Sequence, residues 1–306
     1  MLSVQSLTKE YGKQTAVDNL SFDVSGGTIL GFLGPNGAGK STTMKMISCY
    51  LSSTSGTANV CGYDIHKNPL DVRKHIGYLP EHNPLYLDMY VKEYLNFVGS
   101  IHKIDNRKKG VNELIEIIGL EKEQHKIIGA LSKGYRQRIG LAQAMIHNPD
   151  VLILDEPTSG LDMNQLVDIR NLIRNLGKDK TIILSTHIMQ EVQALCDRVI
   201  IINNGKLVAD DPIENLQNRL QGENKITLNL LDNSKFDIAI LENIEGVNTV
   251  EMTTQGIVIK CKSNIDIRPE IFNIVVANKG IIIELHKDDM SVEDVFQHLT
   301  KTNNHA

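Results

Sequence analysis

Gly34-Pro35-Asn36-Gly37-Ala38-Gly39-Lys40-Ser41 spells G-x-x-x-x-G-K-S, a spacing that makes the backbone itself a phosphate cradle. Its glycines let successive main-chain N–H groups turn inward onto phosphate oxygens, and a following helix adds its positive end. Lys40 can then reach the β- and γ-phosphates of a nucleoside triphosphate, and the Ser41 hydroxyl can ligate Mg²⁺. The implied ligand is ATP or GTP. Such a motif needs a strand before it and a helix after it. Thr28-Ile29-Leu30-Gly31-Phe32-Leu33 reads as a short buried strand, and Ser41 to Ile47 continues as a helix.

Two further stretches complete a reaction site. Val151-Leu152-Ile153-Leu154 runs straight into Asp155-Glu156, and an acid at the carboxyl end of a strand can hold Mg²⁺ through water. Asp155 is that acid. Glu156, one residue on, can take a proton from an attacking water or orient it, which makes it the candidate general base. Leu131-Ser132-Lys133-Gly134-Tyr135-Arg136-Gln137-Arg138 reads as a helix start with Ser132 as its N-cap. A hydroxyl beside the bare N–H of Gly134 at a helix N-terminus is also a second anion site. One nucleotide does not need two cradles from one subunit. The economical arrangement is a head-to-tail pair, with Ser132 and Gly134 of one copy capping the γ-phosphate held by Lys40 of the other.

The elements that must position these groups are legible as alternation. Val151–Leu154, Thr181-Ile182-Ile183-Leu184 and Val199-Ile200-Ile201-Ile202 are short β-branched runs with turn residues around them, the pattern of parallel strands buried on both faces. Between about residues 85 and 145 strand-like runs are scarce, and Val111–Ile118 carries helical spacing, so a helical insertion is expected there. After Gln221-Gly222 the texture changes. Strands are expected at Lys225–Leu230, Val247–Met252, Gly256–Cys261 and Ile281–Leu285, with helices near Phe236–Asn243 and Pro269–Asn278. That β-α-β-β-α-β order is ferredoxin-like. A closing helix is expected from Ser291 to Phe296, behind a capping-box-like serine. The expected division is residues 1–221 and 222–306.

Composition narrows the class. With 306 residues and 41 % hydrophobic content the chain can bury a large core. Its 32 basic and 37 acidic side chains give −5, so no global positive field exists to hold a nucleic acid. Cys49, Cys61, Cys196 and Cys261 are scattered without metal-ligand spacing and read as reduced, mostly buried thiols of a cytoplasmic protein. No secretion signal and no apolar run long enough to span a bilayer is present.

The ordered set Gly34–Ser41, Leu131–Arg138, Val151–Glu156, Ser159-Gly160-Leu161-Asp162 and Ser185-Thr186-His187 resembles the ATPase subunit of ABC transporters. The resemblance covers about residues 2–220, and the Leu-Ser-x-Gly-x-x-Gln signature separates that family from other P-loop ATPases. It implies an α/β P-loop fold with an inserted helical subdomain and an N-terminal antiparallel β layer, beside the small α+β domain. It implies ATP and Mg²⁺ as ligands, with Gly34 to Ser41 and Thr42 around the phosphates. Tyr11 matches the aromatic that stacks on adenine, and Asp162 the acid of a loop that communicates across a dimer. His187 matches the histidine that contacts the γ-phosphate and holds Glu156 in place. The implied partners are a second copy of the chain and an integral membrane permease, with the protein on the inner face of the cell membrane and no nucleic acid.

One residue departs from the pattern. After Ile76-Gly77-Tyr78-Leu79-Pro80 the family generally has glutamine, and this chain has Glu81. A carboxylate there can still ligate the metal, but it adds negative charge beside a triphosphate. Similar Gly-Tyr-Leu-Pro-Glu stretches occur in ATPases paired with ABC-2 type export permeases. The C-terminal portion resembles the accessory domain of such exporters, and the whole length resembles the ATP-binding subunit of gliding-motility ABC transporters. Two alternatives stay open at this stage: a soluble ABC ATPase that serves as an assembly scaffold, and a nucleotide-binding regulator that does not turn over ATP.

Overall fold

The computed structural model describes residues 1–215, 223–232, 236–253, 256–262 and 266–288. The chain divides into two compact units, Met1–Ile213 and Glu214–Ala306. The boundary expected at residue 222 and the helix expected at Ser291–Phe296 lie outside the described residues.

The first unit begins with alternating strands. β1 (Leu2–Tyr11) and β2 (Gln14–Val24) form an antiparallel hairpin, and β4 (Ser55–Val60) and β5 (Tyr63–Asp64) extend it into a sheet of order β2-β1-β4-β5. Leu2, Val4, Leu7, Val17, Leu20 and Phe22 point inward while the residues between them are wetter, as a sheet covered on one face requires. Their partners come from a second sheet of order β10-β9-β3-β8-β7-β6. Its strands are β3 (Ile29–Leu33), β6 (Ile76–Leu79), β7 (Val151–Asp155), β8 (Thr181–Thr186), β9 (Arg198–Asn203) and β10 (Lys206–Pro212). The five from β9 to β6 are parallel, and β10 pairs antiparallel with β9. β3, β7 and β8 are buried at every residue, which explains their unbroken apolar text. Phe22 and Phe32 meet across the two sheets with ring centroids 5.7 Å apart.

Helices fill the connections: α1 (Lys40–Ile47), α2 (Pro69–His75), α3 (Val91–Ile101), α4 (Arg107–Ile118), α5 (Lys133–Met145), α6 (Met163–Gly177) and α7 (Met189–Leu195). The expected helical insertion is α3 to α5, between β6 and β7. Each helix there turns one apolar stripe inward: Val91, Leu95 and Val98 from α3, Val111, Leu114, Ile115 and Ile118 from α4, and Ile139 and Ala142 from α5.

In the second unit β11 (Glu223–Leu230), α8 (Ala239–Glu242), β12 (Val247–Thr253), β13 (Gly256–Lys262), α9 (Arg268–Ala277) and β14 (Ile282–Asp288) follow one another. The sheet order is β12-β13-β11-β14 with every pairing antiparallel. This is the ferredoxin-like arrangement expected from the strand and helix count. Ile226, Leu228, Ile257 and Ile259 of the sheet pack with Leu241, Ile271 and Val275 of the helices.

Candidate active site

Strand register brings the chemistry together. Leu154 pairs with Leu184, Asp155 with Ser185 and Leu33 with Thr186, so the carboxyl ends of β3, β7 and β8 stand level. Gly34, Glu156 and His187 leave those ends side by side, and Glu81 follows the neighbouring β6. Crevices at the carboxyl ends of parallel strands are where α/β sheets bind ligands. Here a cavity of about 650 Å³ is lined by Tyr11, Asn36, Gly37, Gly39, Lys40, Ser41, Thr42, Glu81, Glu156 and His187.

The loop between β3 and α1 has its shape because two glycines are required. A Cβ on Gly34 would lie 2.5 Å from the Ile202 carbonyl oxygen, and one on Gly39 would lie 2.5 Å from that of Ala16. Gly39 also sits at φ 105°, a left-handed conformation that side chains resist. Within the loop the Ala38 N–H donates to the Pro35 carbonyl at 3.1 Å. No side chain caps α1, which leaves its amino end available to an anion.

Lys40 lies folded back over this loop. Its ammonium donates to the carbonyls of Gly34 at 2.8 Å and Pro35 at 3.2 Å, and lies 3.7 Å from Glu156 Oε1. Burial pulls its pKa below the ordinary lysine range, while the charges of Glu156 and Asp155 oppose that shift. A buried cation beside the uncapped amino end of a helix is favoured by an anion placed between them.

Glu156 is the most constrained residue of the set. It adopts φ 51°, rare for a residue with a side chain. Its N–H donates to the Ser185 carbonyl at 3.0 Å, continuing the pairing of β7 with β8 past the end of the strand. His187 Nδ1 lies 3.0 Å from both carboxylate oxygens, so the imidazole and the carboxylate are hydrogen-bonded. Asp155 lies beneath, 1 % exposed, with one oxygen accepting the Ser185 hydroxyl at 2.6 Å. Ser41, Asp155 and Glu81 offer only oxygen donors, the set that suits a hard cation such as Mg²⁺.

Tyr11 closes the outer side of the cavity at the end of β1. It is 51 % exposed, with the Lys9 ammonium 5.3 Å from its ring centroid, and this leaves an aromatic surface free for stacking. Gly34, Pro35 and Ala38 shape the loop from behind without lining the cavity. Gln14 and Ala16 also line it and are not singled out in the sequence, and Ser159, quoted there only as the first residue of the Ser159–Asp162 motif, lines it too. Gln14 could have been found from hairpin pairing, since it sits directly opposite Tyr11.

Three expected residues lie elsewhere. Ser132 is exposed and caps α5, its Oγ accepting the Tyr135 N–H at 3.5 Å. Gly134 is covered by the Gln165 side chain, and a Cβ there would lie 2.6 Å from Gln165 Oε1. Asp162 caps α6 by accepting the Gln165 N–H at 2.9 Å. None of the three lines the cavity around Lys40 within one chain.

A family model described as ABC transporter matches residues 17–159. The bacitracin transport ATP-binding protein BcrA of Bacillus licheniformis is 35 % identical over 298 residues, covering 97 % of this chain and 96 % of that protein. This chain belongs to the ABC transporter family of ATP-binding proteins. It is an ATPase of the ABC type. The Nod factor export ATP-binding protein I of Ralstonia nicotianae is 40 % identical over 212 residues, 68 % of this chain and 66 % of its own length. A solved ATP-binding subunit of an ABC transporter superposes on this ABC ATPase with TM-score 0.65 at 27 % identity, covering 72 % of this chain and 92 % of that one. Among the described residues no helix is long and apolar enough to cross a membrane.

Proposed function

We propose that this chain is the ATP-hydrolysing subunit of an exporter, working as a pair that clamps two ATP molecules and drives a separate membrane permease. The observation that carries this reading is the convergence of the Gly34–Ser41 loop, Lys40, Glu156 and His187 at the level ends of β3, β7 and β8. Tyr11 stacks on adenine, and Gly34 to Thr42 with the Lys40 ammonium bind the phosphates. Ser41, Asp155 and Glu81 would hold Mg²⁺, which when bound neutralises charge on the β- and γ-phosphates. Glu156 accepts the proton of the attacking water at a carboxylate oxygen. His187 keeps that carboxylate aimed through Nδ1. Positioning and charge do most of the remaining catalysis.

The pairing follows from what one chain lacks. Ser132 and Gly134 form an anion-binding helix start outside the Lys40 cavity, so a second copy facing head to tail supplies them, and Asp162 is the acid of the loop that communicates across the dimer. Residues 1–221 form the ATP-binding domain, with about residues 85–145 as the helical subdomain that passes motion to the permease, and residues 222–306 form the accessory domain. Transport is supported by the relative named for bacitracin transport, and export by the relative named for Nod factor export. Gliding motility is a narrower reading supported by the whole-length resemblance in sequence. The protein then sits on the inner face of the membrane through its permease. Two experiments test this. Glu156→Gln should shift to a dimer on a sizing column in ATP, and the native protein should fractionate with an integral membrane partner. Persistent monomer would contradict the clamp, and a protein that stays soluble without a membrane partner would contradict transport.

A further inference from the structure

Three elements of the first unit meet at a point that the ATP site does not use. Cys61 lies in the two-residue turn between β4 and β5, His75 ends α2, and Asp150 immediately precedes β7. One donor atom from each lies within 4.8 Å of the others. His75 Nδ1 is 2.5 Å from Asp150 Oδ2, and the Tyr63 ring stacks on the imidazole at 5.3 Å, fixing its plane. Cys61 Sγ lies 3.2 Å from the Met1 thioether sulfur. The nearby Lys180 ammonium is engaged with Asn148 Oδ1 and the Pro149 carbonyl, both at 2.7 Å, leaving the Asp150 carboxylate to the histidine.

The backbone at Cys61 is a second observation. Val60 pairs with Tyr63, and the two residues between them have φ 51° and 91°. Such a two-residue turn with both φ positive prefers Asn-Gly or Asp-Gly. Turn geometry gives no reason for cysteine at its first position. That position projects a thiol at the histidine and carboxylate of two other elements, beside a recess of about 360 Å³ lined by Met1, Asn59, Cys61 and Gly62 that opens it to solvent.

We propose that Cys61, His75 and Asp150 bind a zinc-class divalent cation. Thiolate, imidazole and carboxylate are a donor set that zinc accepts in tetrahedral sites, the fourth position being open to water or the Met1 thioether. Magnesium, which takes oxygen ligands, is excluded by the sulfur and nitrogen. Binding forms the sulfur–metal bond and releases the thiol proton to solvent. The bound ion ties the β4–β5 turn to the end of α2 and to the entry of β7. The sequence hides this site because its ligands are separated by whole elements.

The test uses Co²⁺ as a spectroscopic stand-in with the full chain and no nucleotide. One Co²⁺ per chain should give a thiolate-to-metal charge-transfer band in the near ultraviolet with tetrahedral visible bands. Zn²⁺ should abolish both, and a large excess of Mg²⁺ should leave them. The charge-transfer band should vanish in Cys61→Ser and survive in Cys49→Ser, while His75→Gln and Asp150→Asn should each weaken binding at least about tenfold. Circular dichroism checks that every variant is folded. A hard oxygen site binding Co²⁺ at Ser41 and Asp155 gives no thiolate band, so the readout is independent of the ATP site. A folded wild type without the band, or a band that persists in Cys61→Ser or is lost in Cys49→Ser, overturns the proposal.

Discussion

Glu156→Gln perturbs two quantities that the geometry links. The amide keeps the volume and an acceptor oxygen but cannot take a proton, so the loss of the proposed general base should lower turnover by about 10²–10⁴, or roughly 3–5 kcal/mol of barrier. The same change removes the carboxylate 3.7 Å from the Lys40 ammonium. At an effective dielectric near 20 that gross attraction is about 4 kcal/mol. Both side chains are buried, at 6 and 7 % exposed. Because the amide oxygen and the carbonyls of Gly34 and Pro35 still face the ammonium, the net cost to the nucleotide-free protein should be about 1–3 kcal/mol. Bound ATP supplies replacement negative charge and should restore that stability. Phosphate release measures the first effect. Urea unfolding with and without ATP measures the second. Turnover within about tenfold of wild type would rule out Glu156 as the base, and a nucleotide-free variant as stable as wild type would rule out its stabilising contact with Lys40.

Other expectations are narrower. Glu81 lines the cavity beside Ser41 and Lys40. Glu81→Gln should change the rate of phosphate release by at least about tenfold in either direction if the carboxylate sets the metal's position or charge, and an unchanged rate removes it from the catalytic set. His147 accepts no solvent role: its Nε2 is 3.0 Å from the Ile76 carbonyl oxygen, and His102 stacks on it at 4.4 Å. Burial, with the charge of His102 adding to it, pushes its pKa down to about 4. The unfolded chain therefore holds a proton that the native chain does not between about pH 6.5 and pH 4, so stability should fall as pH falls through that window. Allowing for partial exposure, the effect should be roughly 1–2 kcal/mol. Urea titrations of wild type and His147→Gln at several pH values should show a shallower slope in the variant, and parallel slopes would contradict the assignment.

Legibility in the text followed the range of the physics. Val151–Leu154 and Thr181–Leu184 could be read as central strands because burial on both faces leaves no polar alternation to interpret. Gly34 to Ser41 was readable because the phosphate loop is local, each glycine answering to a backbone clash or a left-handed angle. The second unit's order was readable because short strands and helices alternate with clear turns between them. β10 and the β4–β5 hairpin were not singled out: Lys206–Pro212 pairs with the adjacent β9 but mixes polar and apolar residues without a clear alternation, and Ser55–Asp64 is largely polar and is held through β4 by β1, far away in sequence. Gln14 and Ala16 were missed at the cavity because they lie on β2 outside any motif, although Gln14 pairs with Tyr11 across the hairpin. The left-handed backbone of Glu156 has no sequence mark at all. The expectation that the cysteines are mostly buried holds for Cys196 and Cys261, while Cys49 and Cys61 are partly exposed because both sit in turns at positive φ.

In the proposed pair each catalytic centre takes Lys40 from one copy and Ser132 from the other. Complementation between two inactive variants tests it most directly. Lys40→Ala and Ser132→Phe, each purified alone, should release little phosphate, and an equal mixture should recover activity, because one of the two centres in a mixed pair then holds both native residues. A mixture no more active than the sum of its components, from variants shown to be folded and to associate, would contradict the account.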